Sequence, residues 1–164
     1  MMPDSSVNRA PFGLRDVAEF YQLGLWAGDV SCKEVAIWVD SLLCESDAVF
    51  PWLAQLSTCR SDVYSLIEAL DRVPGIAAGS LPLKMYLGRL CNRLRSGQIS
   101  GHDACQKLWS LFQGEGVPDR VLELRGRQDF PVDYQRPGYF RKELTARNYC
   151  ARILDVFRDY EVAG

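Results

Sequence analysis

At 164 residues, 48% hydrophobic and 24% charged, the chain has the size and composition of one globular domain, and disorder throughout, a collagen-like repeat or a disulfide mini-protein fit poorly. The formal charge of −2 is unevenly spread: residues 1–82 hold eleven acids against five bases, and residues 83–164 hold ten against fourteen. Such a balance argues against a dedicated nucleic-acid binder, which is usually clearly basic.

Residues 1–12 are polar, lack the apolar core of a signal peptide and are expected to be flexible. Leu14, Val17, Ala18, Tyr21 and Leu25 then recur at steps of three and four, which predicts a first helix ending at Gly28. Ser31 and Glu34 form the capping-box pattern that starts a second, with Val35, Trp38, Val39, Leu42 and Leu43 inward. Pro51 suits the first turn of a short helix, 52–56. Ser61 is expected to cap a third long helix carrying Val63, Leu66, Ile67 and Leu70, stopped by Pro74-Gly75.

The small residues 74–80 make the best internal boundary. Ser80 is then expected to cap a regular helix with Leu83, Tyr86, Leu87, Leu90, Cys91 and Leu94 on one face. Gly97 ends it, and Ser100 with Asp103 opens another, carrying Ala104, Cys105, Leu108, Leu111 and Phe112. Pro118 opens a short helix to Leu124, and residues 126–138 read as an irregular loop. A last helix, 139–160, carries Phe140, Leu144, Ala151, Leu154 and Phe157. The predicted fold is all-α, a single-domain bundle of packed helical hairpins with a long C-terminal helix.

The segment Leu25-Trp-Ala-Gly-Asp-Val-Ser-Cys-Lys-Glu34 returns 69 residues later as Leu94-Arg-Ser-Gly-Gln-Ile-Ser-Gly-His-Asp103. Both read L-x-x-G-x-[V/I]-S-x-x-[D/E], which predicts that Val30 and Ile99 pack between the helices they join. The pattern is either an internal duplication, with units 14–72 and 81–125, or convergence on standard helical-turn chemistry.

The six cysteines, Cys32, Cys44, Cys59, Cys91, Cys105 and Cys150, include no C-x-x-C and mostly fall on apolar faces, so reduced core thiols are expected. The longest stretch free of Asp, Glu, Lys and Arg, Ala48 to Cys59, is twelve residues, too short to span a bilayer. A cytoplasmic protein with no membrane partner is expected.

Catalytic motifs are missing. There is no phosphate-binding G-x-x-x-x-G-K-[S/T], no G-x-G-x-x-G, no H-E-x-x-H and no G-x-S-x-G. His102, the single histidine, shares a helical face with Cys105, but no third group or oxyanion hole can be named beside them. No second cluster completes a zinc site. Hence no catalytic residue, metal or cofactor is assigned. The acidic pairs Asp40 with Glu45, Glu68 with Asp71 and Asp155 with Asp159 read as solvated helix faces.

Two surfaces are better candidates. The acidic edge comprises Asp40, Glu45, Asp47, Asp62, Glu68 and Asp71, with Phe50 and Trp52 between the acids in sequence. Aromatic anchors rimmed by charge are how interfaces concentrate affinity, although Trp52 is equally well placed to be core. The basic stripe comprises Lys84, Arg89, Arg93 and Arg95, extended by Arg141, Lys142 and Arg147. It reads either as a phosphate- or carboxylate-recognising face or as a solvated face paired with nearby acids. The loop with Phe130 and Tyr134 is a third candidate.

The segment Tyr21-Gln-Leu-Gly-Leu-Trp-Ala-Gly-Asp-Val-Ser-Cys-Lys-Glu-Val-Ala-Ile-Trp-Val-Asp40 resembles small bacterial helical proteins sharing Y-x-L-G-L-W-x-G-x-[I/V]-S-x-x-[E/D]-V-x-x-W. These are similar to immunity proteins encoded beside polymorphic or contact-dependent-inhibition toxins. The resemblance covers roughly the first 45 residues, rests on fold-supporting positions and carries over no active-site residue. It implies an immunity or antitoxin protein that covers the active or substrate-binding surface of a cognate toxin. An acidic edge suits a basic nuclease domain, whose phosphate sites carboxylates can occupy. The expected function is therefore that of a non-enzymatic protein-binding module; the alternative is a nucleic-acid-associated regulator using the basic helix face.

Overall fold

Val17, Phe20 and Leu23 point one way from the first helix and Ala18 and Leu25 another, and these two faces organise the molecule. The computed structural model describes residues 13–113 and 142–160. Its regular elements are α1 (Leu14–Trp26), α2 (Cys32–Glu45), α3 (Pro51–Thr58), α4 (Val63–Leu70), α5 (Leu81–Arg95), α6 (Gly101–Gln113), α7 (Glu143–Leu154) and a 3-10 turn at Asp155–Tyr160. All are helical, so the fold class is all-α, with no strand among the described residues. The helix and loop expected within 114–138, the flexible 1–12 segment, and Phe130, Tyr134, Phe140 and Arg141 lie outside the described residues.

One face of α1 joins α5, α6 and α7 in a core containing Leu83, Tyr86, Leu87, Leu90, Leu94, Leu108 and Leu111. The other joins α2, α3 and α4 through Val35, Val39, Leu53, Leu56, Leu66 and Leu70. Polar side chains fasten the same helix. Arg15 donates to the Leu70, Asp71 and Val73 carbonyls at 2.8–3.2 Å, satisfying the C-terminal end of α4. The buried Asp16 carboxylate accepts from the Gly13 and Ala78 amides, fixing the connection between α4 and α5.

The two glycine turns are nearly superimposable in their bonding. Gly28 and Gly97 have φ of 75° and 78°, the left-handed conformation that ends a helix. Asp29 N–H donates to the Gly24 carbonyl at 2.8 Å, and Gln98 N–H to the Arg93 carbonyl at 2.9 Å, the same bond 69 residues on. Val30 and Ile99 are both buried.

The helices joined by these turns do not, however, pack chiefly on each other as hairpins. Helix α1 lies on α5 and α4, and α6 on α7, because those neighbours match their apolar faces. Other local expectations also change. Ser61 does not cap α4: the Asp62 carboxylate does, accepting from Ser65 N–H at 3.1 Å, and the helix has only eight residues. Ser80 precedes α5 without a side-chain cap. Leu144, expected inward, is 67% exposed, since α7 buries Ala146, Cys150 and Leu154.

Candidate partner-binding surface and its neighbours

The connection between α2 and α3 brings charge and apolar surface together in a few residues. Pro51 occupies the first turn of α3, where its missing N–H costs nothing, and holds Phe50 extended just before it. Phe50 stacks on Trp52 with ring centroids 6.3 Å apart and planes 7° from parallel. Trp52 packs against the α1–α4 core, whereas Phe50 remains 51% exposed beside the exposed Val49. Trp52 is thus both part of the core margin and the support for a surface aromatic. Glu45 and Asp47 stand exposed immediately before this pair.

The remaining acids of the expected edge divide by task. Asp40 holds Arg60 in a paired contact at 2.5 Å and 3.3 Å, which keeps its carboxyl below the usual range. Asp62 is occupied by Ser65, whose hydroxyl and amide likewise hold its carboxyl low. Asp71 accepts from Gln22 at 2.6 Å and faces Arg15 at 3.8 Å. Glu68 is exposed on α4. Of the six carboxylates of the edge, Asp40 and Asp71 face arginines, so the edge keeps a negative surplus after this pairing.

The basic stripe is largely engaged within the molecule. Arg89 reaches the Asp29 carbonyl at 2.9 Å and the Glu34 carboxylate at 3.0 Å and 3.1 Å. Arg93 binds the Asp29 carboxylate at 3.0 Å. Lys84 lies over the Tyr160 ring at 5.5 Å, and Arg95 faces Asp155 at 3.7 Å. Arg147 donates to the Leu94 carbonyl, while Lys142 is exposed before α7. Only one half of the Ser31 capping box forms, because Glu34 turns to Arg89 instead of to the Ser31 amide.

Asp29 was not singled out by sequence reasoning. Only 1% of its side-chain surface is exposed, and it receives Tyr86 Oη, Arg93 at 3.0 Å and Lys107 at 2.6 Å. Burial, reinforced by the Asp29 charge, pushes the Tyr86 hydroxyl pKa far up, so Tyr86 serves as a hydrogen-bond donor. Beside Lys107 lies a cavity of about 200 Å³ lined by Ala27, Asp103, Gln106 and Lys107. The cluster ties the α1–α2 turn to α5 and α6. Its sequence signal was a single charge in a turn, replaced by Gln98 in the second turn.

His102 and Cys105 each have another partner across the α6–α7 contact. His102 Nδ1 meets Glu143 Oε2 at 2.7 Å, and the same carboxylate accepts the Gly101 and His102 amides. Those backbone bonds, with His102, hold the Glu143 carboxyl below its usual range. Cys105 Sγ lies 2.8 Å from Cys150 Sγ, both buried. Among the described residues no three His, Cys, Asp or Glu side chains converge to hold a metal, and no helix is long and apolar enough to cross a membrane.

No protein-family model, curated protein or solved structure matches the chain.

Proposed function

We propose that the chain is a non-enzymatic protein-binding module whose α2–α3 edge covers a basic surface of a protein partner. In its most specific form, the partner is a bacterial toxin domain that the chain neutralises as an immunity protein. The observation that carries the reading is the Phe50–Trp52 stack: an aromatic held half-exposed on a core-anchored support, next to the exposed carboxylates Glu45 and Asp47. A preorganised aromatic anchor loses little entropy on binding, and the adjoining charge speeds encounter with a basic partner. The N-terminal resemblance to immunity proteins supports the toxin as partner, and a basic nuclease domain fits best because carboxylates can stand in for its phosphates. The internal pairing of Arg89, Arg93 and Arg95 weighs against the nucleic-acid alternative.

The test is affinity capture from the source organism at low and moderate salt, with the wild type and a Glu45→Lys, Asp47→Lys double variant in parallel. A single stoichiometric basic protein, held by the wild type, inhibited by it and lost with the variant, is expected. A protein held equally by both would overturn the surface assignment. Nucleic acid that washes off with salt would overturn the protein-binding reading.

A further inference from the structure

The α6–α7 contact contains a pair of side chains that the proposed partner surface does not use. Cys105 of α6 and Cys150 of α7 meet at 2.8 Å between sulfurs, against about 2.05 Å for a bonded pair. Both are packed in the apolar core, and each sulfur also points toward a carbonyl of the opposite helix, Cys105 to Ala146 at 3.9 Å and Cys150 to Gly101 at 3.8 Å. Gly101 lets the helices come this close: a Cβ there would lie 2.2 Å from the Arg147 backbone nitrogen. The other four cysteines, Cys32, Cys44, Cys59 and Cys91, have no comparable thiol neighbour among the described residues.

We propose that Cys105 and Cys150 are an oxidative cross-linking site that reacts with hydrogen peroxide to form an intramolecular disulfide, fastening α7 to α6. The Cys105 sulfur, as thiolate, attacks one peroxide oxygen; the O–O bond breaks, hydroxide leaves and takes up a proton, and Cys105 becomes a sulfenic acid. The Cys150 sulfur then attacks the sulfenic sulfur. The S–S bond forms, the S–O bond breaks, and the oxygen departs as a second water with the Cys150 proton. Two thiols lose two electrons and two protons, and one peroxide is reduced to two waters.

Cys105 attacks first because it is the less buried of the two, 5% exposed against 0%, and the hydrogen bond between the sulfurs holds its thiol below the usual pKa. Access comes through local opening of α7, which buries Ala146, Cys150 and Leu154 and packs Tyr149, Ala151 and Ile153 partly buried against the same core. Residues 105 and 150 are 45 positions apart, so the cross-link closes a long loop and withdraws much freedom from the opened states.

The full chain is treated with hydrogen peroxide, denatured, alkylated with N-ethylmaleimide and mapped by mass spectrometry. A 105–150 cross-linked peptide that disappears with dithiothreitol is expected, with Cys91 alkylated. Amide exchange of α7 slows by about tenfold or more on oxidation, and this slowing is absent in Cys150→Ala. The proposal is overturned if Cys105 and Cys150 are both alkylated while the exposed Cys44 has been oxidised, or if either pairs with another cysteine. The mapping uses the wild-type chain, so its outcome does not depend on how the variant folds.

Discussion

Lys107 of α6 stands 2.6 Å from the buried Asp29 carboxylate on the α1–α2 turn, joining positions 78 residues apart. Arg93 approaches the same oxygen at 3.0 Å, and Tyr86 donates to its companion. One carboxylate therefore receives two cations and a hydroxyl. Burying such a group is favourable only while every member is satisfied, so the cluster is more costly to break than an exposed pair.

Asp29→Ala is accordingly expected to cost about 3 kcal/mol or more of folding free energy, because Arg93 and Lys107 lose their shared partner while largely buried. Urea unfolding followed by circular dichroism measures it. Asp40→Ala, which removes an exposed partner of Arg60, is expected to move the midpoint little. Equal effects of the two substitutions would contradict the burial argument.

Gly24 and Gly101 should respond differently to an added methyl group. At Gly24 a Cβ would lie 2.2 Å from Val30 Cγ2, a side-chain obstacle; at Gly101 the obstacle is the Arg147 backbone. Each alanine substitution is expected to destabilise by about 1–3 kcal/mol. Val30→Ala should rescue part of the loss at Gly24, whereas no side-chain truncation should rescue Gly101→Ala. Thermal unfolding of the single and double variants separates the cases.

Phe50→Ala should leave stability nearly unchanged yet weaken partner binding by about 2 kcal/mol, roughly thirtyfold in affinity, mainly through faster dissociation. Glu45→Lys with Asp47→Lys should act on association instead, slowing it about tenfold at low salt and less as salt rises. Surface plasmon resonance on the captured partner resolves both rates. Loss of association rate in Phe50→Ala, with dissociation unchanged, would contradict the anchor role.

The α6–α7 junction should lose stability in acid. The folded Glu143 carboxyl binds protons less readily than in the unfolded chain, where its pKa is about 4.3. Between the two values the unfolded state holds more protons, so stability rises with pH through that window. Its contribution is complete above the unfolded value and disappears as pH falls through the folded one. Asp103, whose carboxyl Ser100 holds low, contributes in the same direction. Thermal midpoints from pH 3 to pH 6 should show a shallower slope in Glu143→Gln.

The helices were legible where one apolar stripe meets a clear stop, as in α5 up to Gly97, or where a turn repeats the chemistry of Gly28. Helix α5 also shows where periodicity fails. Met85 and Gly88 are buried besides the Leu83–Leu94 stripe, because neighbours cover more than one of its sides. Arg89 and Arg93, counted as an outer face, consequently meet Asp29 and Glu34. Helical spacing places Leu144 inward, but the close approach at Gly101 selects the Ala146–Cys150–Leu154 face. Local sequence carries no signal for contacts made across 40 to 80 residues. The aromatic and acidic residues of the α2–α3 connection were legible because they are neighbours in sequence; the sorting of Asp40, Asp62 and Asp71 into internal pairings was not.

The two-faced helix α1 also determines what a severed chain could do. A nick between Pro74 and Ser80 would leave Val17, Phe20 and Leu23 on one piece and the residues they cover on the other. Neither piece would keep a complete interior: the shorter would expose an unmatched apolar strip, and the longer would lack a wall. Complementation is the expected behaviour, with the separated fragments recovering helical structure together and at concentrations where they associate. A connection that looks from its composition like a border is thus a seam, crossed by the helix that begins the fold.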